Sequence, residues 1–135
     1  MNNNHKLTYI VLVLIILLGG YIILLGGYII LLGSYIPYLF YSGSYIPYEL
    51  DYQINTMIKN HDTKQMRAVS SDKRIYSFLV HLNKRDSCKN TSDYQGGSKN
   101  IDWYGTEIKG KAIGVDMKKE NSIYWKVDKL YFTKR

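Results

Sequence analysis

The feature that most constrains this chain is Leu7 to Leu32, a run of 26 residues without a charge, 18 of them Leu, Ile or Val. At about 1.5 Å per helical residue it measures roughly 39 Å, longer than the ~30 Å hydrocarbon core of a bilayer. In lipid every unpaired backbone amide costs several kcal/mol, and an α-helix pairs them all within one segment. A single tilted transmembrane helix over residues 7–36 is therefore expected. A cleaved signal peptide is the competing reading, with Lys6 as its charged region and Leu7 to Leu18 as its apolar region. Against it, the apolar run continues for two further heptads, with neither a small-x-small cleavage site nor a lipobox cysteine behind it.

The flanks predict an orientation. Residues 1–6 are polar with Lys6 as their only fixed positive side chain, whereas Gly33 to Tyr52 holds no Lys or Arg and carries Glu49 and Asp51. The bias of basic residues places the N-terminus in the cytoplasm (or matrix) and the remainder on the opposite, extracytoplasmic side, as a single-pass signal anchor.

The run also contains a repeat: GGYIILL at Gly19 to Leu25 and again at Gly26 to Leu32, then GSYIPYL at Gly33 to Leu39 and GSYIPYE at Gly43 to Glu49. Seven residues at about 100° each return to within ~20° of the start. Gly19, Gly26 and Gly33 thus stack on one line of the helix, with Gly20, Gly27 and Ser34 on the next. These six are candidates for close packing of a second helix; neutral tandem duplication is the competing explanation. Pro37 is expected to end the helix near Tyr35, because its ring disfavours helical geometry at the preceding residue. Tyr35, Tyr38, Phe40, Tyr41, Tyr45 and Tyr48 then mark residues 37–48 as an aromatic linker at the head-group level, with membrane lipids as the partner.

Residues 49–135 are long enough for one small domain. They carry 17 basic and 11 acidic residues, a net +6, with no run of Lys or Arg exceeding two. A protein that tracks phosphates needs a concentrated stripe, so nucleic acid is excluded as a partner. Contact with anionic head groups suits the dispersed charge better. Cys88 is the only cysteine, so no intrachain disulfide forms and packing must hold the domain.

Pro47 suits the first turn of a helix. Leu50, Ile54, Met57 and Ile58 then recur on one face, predicting an amphipathic helix from Tyr48 to Asn60. His61-Asp62 breaks it, and a second piece is expected over Thr63 to Ser70. Asp72 to Leu82 is too densely apolar to show a period; a helix capped by Ser71 or Asp72 is preferred, with a core strand as the alternative. Ser87 to Asn100 reads as a polar loop containing Gly96-Gly97 and the glycosylation sequon Asn90-Thr91-Ser92. Beyond it the apolar residues alternate. Trp103 to Ile108 forms one strand, Ile113, Val115 and Met117 share a face of the next, and Ile123, Trp125 and Val127 share a face of the last. Leu130 and Phe132 have the opposite parity, so a bulge at Asp128-Lys129 is required to keep both sets inward. The expected class is α+β, one to three helices on a three- or four-stranded antiparallel meander. Ile113, Val115, Trp125, Val127, Leu130 and Phe132 form its predicted core.

Chemistry is sparse. His61, His81 and Cys88 have no recognised metal-ligand spacing. Cys88 beside Lys89 in a polar loop is expected to be exposed and mildly acidic, and no pair of carboxylates falls in an apolar setting. Gly96-Gly97 lacks the Lys-Ser/Thr of a phosphate loop. No catalytic residue, cofactor, metal or small-molecule substrate is expected.

The segment from Lys109 to Phe132, KGKAIGVDMKKENSIYWKVDKLYF, resembles the closing segment of the cytochrome oxidase assembly factor one family through Lys109-Gly110-Lys111, Val115, Trp125 and Leu130. It departs at Ala112, and at Leu79-Val80 and Leu82, where the family has a Leu-Gly pair. The resemblance implies a membrane-tethered, non-enzymatic interaction domain that handles a membrane protein subunit during assembly of a respiratory complex. The alternative is a small membrane accessory protein acting through helix packing or lipid-surface contact.

Overall fold

Forty residues, Asn3–Ser42, form one α-helix (α1) in the computed structural model, which describes residues 2–133. None of its residues is buried, and its Leu, Ile and Tyr side chains stand open along its length. It is long and apolar enough to cross a membrane by length and composition. The expected stop at Pro37 is corrected, because the helix runs through Pro37 to Ser42. A proline removes one intrahelical hydrogen bond, whereas unwinding the last turn and a half would unpair several backbone groups. Gly43 is the residue that terminates the helix. Its φ of +68° is a left-handed conformation that suits glycine at a helix end.

Residues from Gly43 onward form a second unit, α2 (Ile46–Lys59), α3 (Thr63–Val69), α4 (Lys73–Val80), β1 (Cys88–Lys89), β2 (Gly97–Ser98), β3 (Ile101–Ile108), β4 (Lys111–Lys119) and β5 (Trp125–Phe132). The unit therefore starts six residues before the expected boundary at Glu49. Ile46, assigned from sequence to the linker, is 3% exposed and belongs to the core.

Local chemistry sets the helix limits. Pro47 lies in the first turn of α2, whose buried stripe is Ile46, Leu50, Ile54, Met57 and Ile58. His61 ends α2 with φ +49°: its N–H donates to Ile58 O and the Asp62 N–H to Met57 O, a Schellman closure. Asp62 then caps α3 by accepting from Gln65 N at 3.1 Å. Asp72 caps α4 by accepting from Arg74 N at 2.9 Å and Ile75 N at 3.0 Å. Residues 73–80 are thus helical, and their buried residues are Ile75 and Leu79.

The sheet is antiparallel in the order β1-β3-β4-β5, with β2 also on β3. β3 and β4 join through Lys109 and Gly110, both at positive φ (49° and 74°), the pattern of a type I′ hairpin turn. In β5, Asp116 pairs with Lys129 and Met117 with Val127, so Asp128 is the bulged residue. The bulge lets Val127 and Leu130 both face inward, 3% and 0% exposed, beside Ile113, Val115 and Met117. Trp125 and Phe132 are half-buried at the two ends of β5, packed against this core. Ile123 is corrected: it lies outside β5 and is 56% exposed.

The sheet has five strands because the expected loop is not structureless. Residues 88–98 line the free edge of β3, through β1 and β2 and through Ser92 N to Gly105 O, Gln95 N to Trp103 O and Trp103 N to Gly96 O. Their bonds are made by main chain, so no alternation of apolar side chains announces them.

Candidate functional site

On α1 a Cβ added at Gly19, Gly20, Gly26, Gly27 or Gly33 meets no atom within 4 Å. The heptad register that stacks these glycines leaves an open stripe along the helix. The Ser34 hydroxyl next to it donates to Ile30 O at 2.8 Å, one turn back.

A second group of polar residues lies where α2 crosses β1 and β3. Asn55 and Asp51 project from one flank of α2, one turn apart. The Asn55 side-chain oxygen (Oδ1) accepts from Cys88 N at 2.8 Å and Asp51 accepts from the Thr91 hydroxyl at 2.5 Å. With the Thr91 proton given to Asp51, the Thr106 hydroxyl is the donor that remains, and its one proton is shared between Thr91 Oγ1 at 2.9 Å and Lys89 O at 3.4 Å. Thr106 is the buried polar residue among the described residues, and these contacts give its hydroxyl partners inside the domain.

Cys88 belongs to this cluster, not to an exposed loop. Burial pushes its thiol up to about 12; the Thr106 hydroxyl opposes the rise and the charge of Asp51 adds to it. A nucleophilic cysteine requires a depressed value, and this setting holds the sulfur as a protonated thiol at neutral pH. His81, the histidine nearest to Cys88 in sequence, is exposed at the end of α4 with Nδ1 2.7 Å from Ser77 O. His61 is exposed in the turn that closes α2. Among the described residues no three His, Cys, Asp or Glu side chains gather to hold a metal ion.

The outer sheet face contains a grouping that sequence reasoning missed. Strand register and the bulge bring Asp116 beside Lys129, Asp128 and Tyr131. The Asp116 carboxyl is raised chiefly by burial; the Tyr131 hydrogen bond lowers it, Asp128 raises it and Lys129 lowers it. The Tyr131 ring covers Gly114, where an added Cβ would sit 2.1 Å from a ring carbon. The available signal was Gly114, a small residue opposite an aromatic across two strands. The sequon residue Asn90 is exposed at φ +53°, and the Ser92 hydroxyl accepts from Gly105 N at 2.8 Å.

Comparison with protein-family models, with curated proteins and with solved structures finds no match to this chain.

Proposed function

We propose that this chain is a single-pass membrane protein whose α1 crosses the bilayer with its N-terminus in the cytoplasm (or matrix), presenting the α+β domain on the other side. The domain is a non-enzymatic interaction module for a membrane protein subunit. One observation carries the reading: a 40-residue helix, uncharged from Leu7 onward, buries none of its side chains within the chain. In water such a surface is far larger than soluble monomers leave uncovered. In a bilayer it is solvated by lipid. The basic-residue bias across the helix supports the orientation.

The more specific form of the reading is assembly of a respiratory complex, resting on the resemblance of Lys109 to Phe132. Its hairpin turn and the buried Val115 and Leu130 are compatible with that role and equally serve the fold. The test is crosslinking in intact membranes followed by identification of what co-purifies with the full chain, together with protease added to cells stripped of their outer layers. Recovery of an oxidase subunit and trimming of the domain from outside support the proposal. A carbonate-soluble chain, or a domain untouched by external protease, overturns it. The runner-up, action through the glycine stripe, predicts that replacing α1 by a plain leucine helix abolishes capture; the leading reading predicts that capture survives.

A further inference from the structure

We infer that the β4–β5 turn, residues 120–124, is a second membrane contact, a rigid fingertip that rests in the head-group layer of an anionic bilayer. The inference rests on the anchoring proposed above and adds the face of the domain that meets lipid.

The turn is built to present apolar side chains outward. The Asn121 side-chain oxygen accepts from Ile123 N at 3.0 Å and Tyr124 N at 2.8 Å, while Glu120 N donates to Tyr124 O at 2.9 Å. These bonds pair the Glu120, Ile123 and Tyr124 N–H groups within the turn, which lowers the cost of taking it out of bulk water. The side chains of Ile123 and Tyr124 remain 56% and 43% exposed. An aliphatic beside a tyrosine matches the head-group boundary, where one end of the aromatic is apolar and the other wet.

Position along the chain argues for lipid as the occupant. The Tyr45 hydroxyl donates to Ile123 O at 2.5 Å, and Tyr45 follows Ser42, the last residue of α1, by three positions. Three residues span at most ~10 Å. Lys6 to Ser42 measures ~54 Å as a helix, against about 40–45 Å for a bilayer with its head groups. At the ~20° tilt usual for such helices it rises ~51 Å, which leaves Ser42 within about 10 Å of the surface. The short tether to Tyr45 therefore keeps the turn within reach of that surface.

Charge agrees. Lys118 and Lys126 are paired across β4 and β5 and exposed; Lys119 stands 5.9 Å from the Trp125 ring centre, with its N–H donating to Asn100 O. The acids at this end are Glu120, Glu49 and Asp102, the last facing Lys119. An anionic surface attracts each nearby lysine by about a fivefold gain in partitioning.

The test places an environment-sensitive fluorophore at Ile123→Cys, or at Tyr124→Cys should the first disturb the turn. A control carries it at Lys109→Cys, at the other end of the sheet. Labelling is done at pH 7, where Cys88 stays protonated. The full chain is reconstituted in vesicles of phosphatidylcholine alone or with phosphatidylglycerol, each doped with a head-group nitroxide lipid. The turn label is expected to be quenched in the anionic vesicles, less in the neutral ones, and the Lys109→Cys label in neither. Combined Lys118→Gln, Lys119→Gln and Lys126→Gln should remove the anionic increment. A turn label no more quenched than the control, or equally quenched in both compositions, overturns the inference. Carbonate extraction separates the two failures: a chain stripped from vesicles defeats the anchor, whereas a retained chain with an unquenched turn defeats only the fingertip.

Discussion

Gln53 serves Val127 as a strand would. Its side-chain oxygen accepts from Val127 N at 2.9 Å while its amide nitrogen donates to Trp125 O at 2.8 Å, so one helical side chain imitates a backbone peptide on the outer edge of β5. Farther along, Ser71 N donates to Leu130 O. These two contacts blunt an edge that otherwise invites another chain. Gln53→Ala is expected to cost about 1–3 kcal/mol, because a half-buried donor and an acceptor both lose their partner. Gln53→Glu should lose at least as much: it keeps the bond from Val127 N but turns a carboxylate oxygen towards Trp125 O and Glu49 Oε1, both of which accept from Gln53 Nε2. Urea unfolding of the full chain in micelles, with hydrogen exchange at Val127, measures both.

Gly114→Ala should destabilise the domain by about 1–3 kcal/mol, the range for forcing a methyl into an occupied site. The Tyr131 ring fills the space above this glycine. Combining it with Tyr131→Ala removes the clash, so the double variant should fall short of the sum of the single losses. Equal additivity in thermal melts would contradict the close approach.

Cys88 should alkylate slowly. With its thiol raised from 9.0 to about 12, its thiolate fraction at pH 8 is on the order of a thousandfold below that of an unperturbed cysteine. A value raised in the folded state contributes stability that is present below pH 9 and lost as pH rises towards 12. Iodoacetamide labelling followed by mass spectrometry tests the first statement. The second predicts that Cys88→Ala unfolds less steeply with alkali than the unchanged chain.

Two carboxylates should respond to pH with opposite signs. Asp116 is raised above 3.8, mainly by burial, so its contribution is favourable below pH 3.8 and lost as pH rises through the folded value. Asp116→Asn is expected to be the more stable protein at pH 7 and indistinguishable at pH 2. Asp72 is held below 3.8, first by the Ile75 N–H, so its contribution is present above pH 3.8 and lost as pH falls through the folded value. Asp72→Ala should be weaker at pH 7 and level with the parent at low pH. Thermal melts of the full chain across that interval distinguish the pair.

What the sequence determined on its own are features carried by side-chain period and composition. The uncharged run from Leu7 requires a long apolar helix; Leu50, Ile54, Met57 and Ile58 require an amphipathic one. The parity change between Val127 and Leu130 required a bulge, and the structure has it at Asp128. Such patterns are local, because each side chain reports the face on which it must lie. Tertiary structure decided what depends on partners distant in sequence. Residues 88–98 join the sheet because the free edge of β3 offers hydrogen bonds, and Gln53 supplies a missing strand to a segment 72 residues away. Cys88 becomes a buried thiol because Asn55 and Thr106 hold its strand against α2. The end of α1 is local as well, but it is set by Gly43 rather than by Pro37, since one proline costs less than unpairing the turn that follows it.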